Sequence, residues 1–279
     1  MIALIISYIL FSPLVIGSFY DGLLFFPDRK YYPEVDEQLE KIMTPLKVTK
    51  EDIFIPVRNK SIHAWYFNRP LAKKTFLISH GNGGNVCHRL YLIKALLPYG
   101  SVFVYDYEGY GKSEGTPSRQ AICADGLAAY DYLIKQKFVR PDDVIVFGES
   151  LGCSVSCEIS KYRKTGGIIL QSGWTSLLKA GRDRIFLLRL YPDCFFKSPY
   201  LDNEAALCRP HPPVLLIHGQ KDKILPCRYS QELFVKACEP KQLVLLPNAS
   251  HNDIGIVDSD LYAQAIHRFL QTYYQNSFY

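Results

Sequence analysis

Short apolar runs alternate with helical patterns along most of this chain, and that alternation restricts its fold more than any other feature. "TFLIS" (75–79), "VFVYD" (102–106), "VIVF" (144–147), "GIILQ" (167–171), "PVLLIH" (213–218) and "QLVLL" (242–246) are continuous in apolar residues. A strand with one wet face alternates polar and apolar side chains; a continuous run is covered on both faces, as in a parallel sheet between two helical layers. Helical patterns fill the intervals: one through Leu90, Ile93, Leu96 and Leu97, then 117–136 opening on Pro117, 151–161, 226–238 and 258–274. Ahead of them, "DIFIPV" (52–57) and "IHAWYF" (62–67) read as a hairpin about Arg58–Asn59–Lys60, adding antiparallel strands at one edge. The expected fold class is α/β, a mostly parallel central sheet covered by helices on both faces. At 279 residues and 48% hydrophobic side chains, a single large domain accommodates all of this. A net charge of +5 without a run of Lys or Arg sets nucleic-acid binding aside.

The first twenty residues, "MIALIISYILFSPLVIGSFY", carry no charge and are long enough to cross a bilayer as a helix, about 30 Å at 1.5 Å per residue. The reading favoured here is a retained transmembrane anchor over 1–26 that meets membrane lipid through residues 1–20. No basic residue precedes the run, which argues against a cleaved signal peptide; a buried helix is the third reading. The first basic residues, Arg29 and Lys30, follow the run and place the catalytic part on the cytoplasmic side. Eight scattered cysteines read as reduced thiols, in keeping with that side. Two glycosylation sequons, at Asn59 and Asn248, point the other way. Residues 27–50 read as a polar connector with a short helix around 34–42, and 51–279 as the catalytic domain. Between Ser172 and Arg209 the alternation breaks. Residues 173–209 read as a cap insertion over the carboxyl ends of the strands, where open α/β sheets place their ligands. Ile185, Phe186, Leu187, Leu188, Leu190, Phe195 and Phe196 are its candidates for an acyl groove.

Chemistry enters at "VIVFGESLG" (144–152), where a strand runs straight into a helix with Ser150 at the corner between Gly148 and Gly152. A serine hydroxyl is a weak nucleophile and needs a base. A sharp strand-to-helix turn exposes its oxygen and leaves no room for flanking side chains. The base and its orienting acid are expected in loops after later strands. Asp222 lies just beyond the strand at 213–218, and His251 beyond that at 242–246. His251 then serves as base and acid and Asp222 as the group that fixes its tautomer. Asp253 is a competing acid in the histidine's own loop. For a developing oxyanion, the Leu151 N–H at a helix start is one donor. The loop "HGNGGN" (80–85) supplies the second, assigned to the Asn82 N–H, with His80 pinning that loop. Trp174 follows a strand end and is placed in the substrate site.

These motifs together resemble the α/β-hydrolase superfamily. Within it, the chain is similar to the small membrane-anchored serine hydrolases that include the α/β-hydrolase domain-containing protein 13 and 17 groups. The residues that carry the likeness are "LLFFPD", "SHGNGGN", "YDYEGYGKSEG" with Pro117–Ser118, "GESLG", "IHGQKD" and "SHND", across 23–272. The resemblance implies a serine hydrolase without cofactor or metal that cleaves ester or thioester bonds. The 17 group removes fatty acyl groups from cysteines; this chain lacks that group's cysteine-rich amino terminus. A short-chain carboxylesterase, a serine peptidase and a catalytically silent membrane-anchored scaffold are the alternatives. Several motifs carry nothing further. Gly111-Lys112-Ser113 lacks the first glycine of a phosphate-binding loop, and Gly109-x-Gly111 lacks the third of a dinucleotide site. Cys153 and Cys157, and His63, His88, His211, His218 and His267, have no converging metal ligands.

Overall fold

The structure, a computed structural model, describes residues 7–15, 17–196, 198 and 201–274, the side chains of Ser18 and Tyr20 excepted. Its strands are β1 (Thr49–Val57), β2 (Lys60–Asn68), β3 (Thr75–Ser79), β4 (Ser101–Tyr105), β5 (Val144–Glu149), β6 (Gly167–Gln171), β7 (Val214–Gly219) and β8 (Lys241–Leu246). They form one eight-stranded sheet in the order β8-β7-β6-β5-β3-β4-β2-β1. The β1–β2 and β2–β4 pairs are antiparallel and the other five are parallel. The tight turn at Arg58–Asn59 makes the first pair antiparallel, whereas each parallel pair needs a crossover long enough for a helix.

Helices α1 (Glu34–Met43), α2 (Leu90–Leu96), α3 (Arg119–Gln136), α4 (Gly152–Tyr162), α5 (Leu177–Arg184), α6 (Asn203–Leu207), α7 (Arg228–Lys236) and α8 (Ser259–Tyr274) accompany the sheet. Successive side chains of a strand face opposite sides, so each apolar run feeds two cores. Leu77, Val146, Leu170 and Leu216 pack with α3, α4 and α7 on one side. Phe76, Ile78, Phe147 and Ile217 pack with α1, α2 and α8 on the other. α3 begins two residues later than Pro117 suggests, because Ser118 is the cap and its Oγ accepts the Ala121 N–H at 3.1 Å.

The amino-terminal segment departs from expectation. Residues 7–10 are helical, turns follow around Pro13, and a separate short helix runs over Gly17–Gly22. Proline lacks the N–H that a continuing helix needs. Among the described residues no helix is long and apolar enough to cross a membrane, so the single span expected over 1–20 is not formed there. Residues 1–6 and 16 of that expectation lie outside the described residues. Instead, the segment packs on the cap: Tyr8 stacks on Tyr191 at 4.6 Å, donates to the Leu190 carbonyl and accepts from the Tyr191 hydroxyl. Residues 27–50 also do more than connect. Val35, Leu39 and Val48 are buried in the second core. Phe26–Pro27 pairs in parallel with Gly83–Gly84, tying this segment to the 80–85 loop.

The loop after β4 supports the same region through a buried acid. Asp125 on α3 accepts the Glu108 N–H at 2.8 Å. Burial pushes its carboxyl up to about 7, against 3.8 for an ordinary aspartate. The folded state therefore holds a proton that the unfolded chain releases, and the associated stability is lost as pH rises from about 4 through 7. Asp125→Asn keeps the acceptor without the charge. The melting temperature of the wild type should fall relative to this variant between pH 5 and pH 8, whereas parallel curves would exclude a proton on Asp125.

Candidate active site

Ser150 sits at the tip of β5 with φ of +52°, a left-handed conformation that non-glycine residues seldom adopt. The turn is held from both sides. The Ser150 N–H donates to the Gln171 carbonyl of β6 at 2.8 Å. A methyl group on Gly152 would stand 1.8 Å from the Ser79 carbonyl oxygen of β3, and one on Gly148 2.6 Å from the Cys153 nitrogen. Glycine at both flanks is therefore a condition of α4 starting directly on the sheet, and the start of α4 in turn fixes the serine.

The structure brings Ser150, His251 and Asp222 into one line. His251 Nε2 is 3.0 Å from Ser150 Oγ, and His251 Nδ1 is 2.6 Å from Asp222 Oδ2. With the carboxylate accepting from Nδ1–H, Nε2 is left to accept the serine proton. Burial alone would favour the neutral form of Asp222. Hydrogen bonds from His218, His251 and the Leu225 N–H outweigh it and hold the carboxyl well below the usual range. Its Oδ1 accepts the Ile224 and Leu225 N–H groups at 2.8 and 2.7 Å. His218 Nε2 lies 3.1 Å from Oδ2 and 2.8 Å from the Leu225 carbonyl, while its Nδ1 meets Ser230 Oγ at 2.7 Å. This second histidine fixes the acid, a role its lone position on a strand gave no reason to expect. Asp253, the competing acid, accepts from Ser250 N and Oγ and closes its own turn.

Of the two expected oxyanion donors, Leu151 follows Ser150 directly and Asn82 lies in the loop beside it, where a methyl group on Gly81 would stand 3.6 Å from Ser150 Cβ. Among the described residues neither the Asn82 nor the Leu151 N–H has a protein acceptor. The Asn82 carbonyl instead accepts from Phe26 N at 2.9 Å and Tyr110 Oη at 2.7 Å, and its amide donates to the Leu24 carbonyl. His80 is buried, bonded through Nδ1 to the Gly81 carbonyl and packed on Tyr107 at 4.4 Å. One neighbour was not expected at all. Glu149, beside the serine, accepts the Gly81 N–H at 3.1 Å and the Tyr91 hydroxyl at 2.6 Å, and pairs with Arg89 Nη1 at 3.0 Å. Burial opposes its charge, but Arg89, Tyr91 and the Gly81 N–H keep the carboxyl below its usual range. Arg89 also donates to the Gly83 carbonyl, so one ion pair holds the serine turn and the donor loop together.

A cavity of about 1100 Å³ opens over Ser150. Trp174 lines it, its Nε1 donating to the Leu201 carbonyl at 3.2 Å. So do Leu23, Leu24 and Phe26 from the amino-terminal segment, and Ile224 and Ile256 from the loops that follow β7 and β8. From the cap, Ile185, Leu188 and Phe196 line it. Phe186, Leu187 and Leu190, expected in the same groove, point away into solvent, and Phe195 packs against Tyr8 and Tyr191. The short turns at Phe186–Leu190 and Asp193–Phe195 break the periodicity that would have kept them on one side.

No family model matches the chain. An uncharacterized protein of Mycobacterium tuberculosis is 36% identical over 209 residues, which cover 74% of this chain and 73% of that protein. α/β-Hydrolase domain-containing protein 17B of Xenopus laevis is 31% identical over 209 residues, covering 72% of this chain and 67% of that protein. The chain belongs to the α/β-hydrolase family. The architecture agrees. An esterase of Pyrococcus furiosus superimposes with a TM-score of 0.72 at 18% identity, covering 90% of this chain and 98% of that one. An α/β-hydrolase of Vibrio vulnificus does so with a TM-score of 0.71 at 17% identity, covering 87% and 88%. At such identities the likeness is one of fold, and the chemistry of this α/β-hydrolase rests on its own site.

Two measurements test the geometry. Ser150→Ala and His251→Ala should each lower kcat by about 10⁴-fold or more, and the double variant should be no worse than either, since neither residue acts alone. Near-normal turnover by His251→Ala would exclude it as the base. Glu149→Gln keeps an acceptor for the Gly81 N–H but removes the charge opposite Arg89. It should lower kcat about 10-fold or more while leaving KM nearly unchanged if the Asn82 N–H is the oxyanion donor expected from the sequence, because a shifted donor is felt in the transition state. An unchanged kcat would leave Glu149 without influence on that donor.

Proposed function

We propose that this α/β-hydrolase is a serine hydrolase that cleaves carboxylic ester or thioester bonds through an acyl-enzyme on Ser150, acting on substrates with a medium or long acyl chain. The observation that carries the reading is the hydrogen-bonded line from Ser150 through His251 to Asp222 at the floor of a largely apolar cavity. Residues 51–279 then serve as the catalytic domain and 173–209 as its cap.

The mechanism follows from the geometry. Ser150 Oγ attacks the acyl carbon as His251 Nε2 takes its proton, and the Asp222 carboxylate stabilises the resulting imidazolium. The carbonyl oxygen, now anionic, meets the Asn82 and Leu151 N–H groups, each such donor contributing about 10²–10³-fold in rate. His251 then protonates the departing alcohol or thiol. Water enters along the same path, His251 takes its proton, and collapse of the second tetrahedral intermediate releases the acid and restores Ser150. Arg89 matters here as well: an unpaired Glu149 carboxylate would oppose the oxyanion, and the ion pair neutralises it.

The acyl chain is assigned to the wall formed by Leu23, Trp174, Ile185, Leu188 and Phe196. Each methylene buried there contributes about 0.8 kcal/mol of transfer free energy. The full chain is the right enzyme to assay, because Leu24 and Phe26 both line the cavity and hold Asn82. With acyl esters and thioesters of increasing length, kcat/KM should rise from acetyl to octanoyl and beyond, with thioesters turned over. A fall from acetyl to octanoyl without thioester cleavage would make the protein a short-chain carboxylesterase.

A further inference from the structure

Exposed apolar side chains are not spread evenly over this molecule. The amino-terminal segment presents Ile9 and Leu10, the cap presents Phe186 and Leu190, and the loops after β7 and β8 present Ile224 and Ile256; Phe186 is 72% exposed and Ile256 67%. Two sets of contacts join these pieces into one surface. Tyr8 is stacked on Tyr191 and bonded to the Leu190 carbonyl, which seats Ile9 and Leu10 beside the cap. Arg184, at the end of α5, donates to the carbonyls of Lys223 and Ile224, which closes the cap onto the loop after β7. Ile224 and Ile256 are both exposed and part of the cavity wall, so they mark its mouth. The surface therefore reaches the opening above Ser150 through Ile224 and Ile256, with the cap and the amino-terminal segment adjoining them.

We propose that this surface is a lipid-docking face, through which the protein lies on a phospholipid bilayer with the mouth of its cavity against the acyl region. It rests on the hydrolase reading for its purpose but not for its existence. A bilayer is the occupant that the chain itself specifies. The described part of the amino-terminal segment, residues 7–15, exposes Ile9, Leu10, Leu14 and Val15 and has no charged side chain that water or a polar partner would hold. Arg184 and Lys223 stand at the rim, where cations meet lipid phosphates. Because the turns around Pro13 divide the segment, it lies along the surface and shares the docking with the cap. A substrate carried in the leaflet then reaches Ser150 without crossing water.

The discriminating variant is Phe186→Asp with Leu190→Asp, which alters the cap outside the cavity wall and leaves the amino-terminal segment intact. The full chain is mixed with vesicles of phosphatidylcholine containing phosphatidylserine, and binding is read by flotation. Hydrolysis of a water-soluble acetyl ester and the melting temperature are measured alongside. The wild type should float with the vesicles, and the variant should partition about tenfold or more weakly, with its melting temperature and acetyl-ester turnover retained. Unchanged flotation of the variant would overturn the proposal and leave the first twenty residues as the sole attachment. A wild type that forms a dimer and does not float would overturn it too, in favour of a second copy on this face. Loss of ester turnover in wild type and variant alike would instead strike the hydrolase reading, since flotation does not depend on it.

Discussion

The contact on which this structure turns is the one between Gly152 and the Ser79 carbonyl, too close to admit a single methyl group. It lets α4 begin directly at the end of β5, between β3 on one side and β6 on the other. Everything around Ser150 then follows from which strands are neighbours. β3 continues into the 80–85 loop and delivers the Asn82 N–H. β6 ends at Gln171, whose carbonyl holds the Ser150 N–H. The loops after β7 and β8 arrive from one side with Asp222 and His251. The strain of a left-handed serine, about 1–3 kcal/mol, is met by these surroundings and keeps Oγ exposed to the cavity.

Two carboxylates flank the serine, and they are kept charged by different means. Asp222 is surrounded by donors: two histidines on one oxygen and two backbone N–H groups on the other. That set aims its remaining influence at the His251 ring. Glu149 is held instead by a cation, a phenol and one backbone N–H. The phenol belongs to Tyr91, which also accepts from Gln171, while Gln171 accepts from Tyr262 on α8. The donor loop is thereby tied to both the sheet and the lower helical layer. An acid that draws positive charge through His251 and an acid whose charge is already balanced by Arg89 can sit on either side of the proposed oxyanion site without conflict.

How much of this was legible beforehand depends on the range over which each signal acts. The parallel strands could be read because burial on both faces writes continuous apolar runs into the chain. The serine turn and the order Ser150, Asp222, His251 could be read because each residue sits in the turn or loop that follows a strand. The Arg89–Glu149 pair could not, since its partners are 60 positions apart and nothing local marks either. His218 was hidden for the opposite reason: four positions before Asp222, it looks like an ordinary strand residue until the loop folds the acid back on it. The first twenty residues misled because hydropathy measures distaste for water, not the alternative to it. Packing on the cap and contact with lipid write the same apolar run, and only Pro13 hinted that one helix would not pass through it. The same ambiguity put Phe186 and Leu190 in the groove when they face outward.

The central claim is that Ser150 alone, among the chain's hydroxyl groups, is made nucleophilic by its surroundings. A fluorophosphonate reacts with such a serine in the folded protein and leaves a stable phosphonyl adduct. Mass spectrometry of the labelled full chain should therefore find one adduct, on the peptide carrying Ser150, with none after His251→Ala or after denaturation. An adduct on another serine, or none on Ser150 in the native protein, would contradict the account.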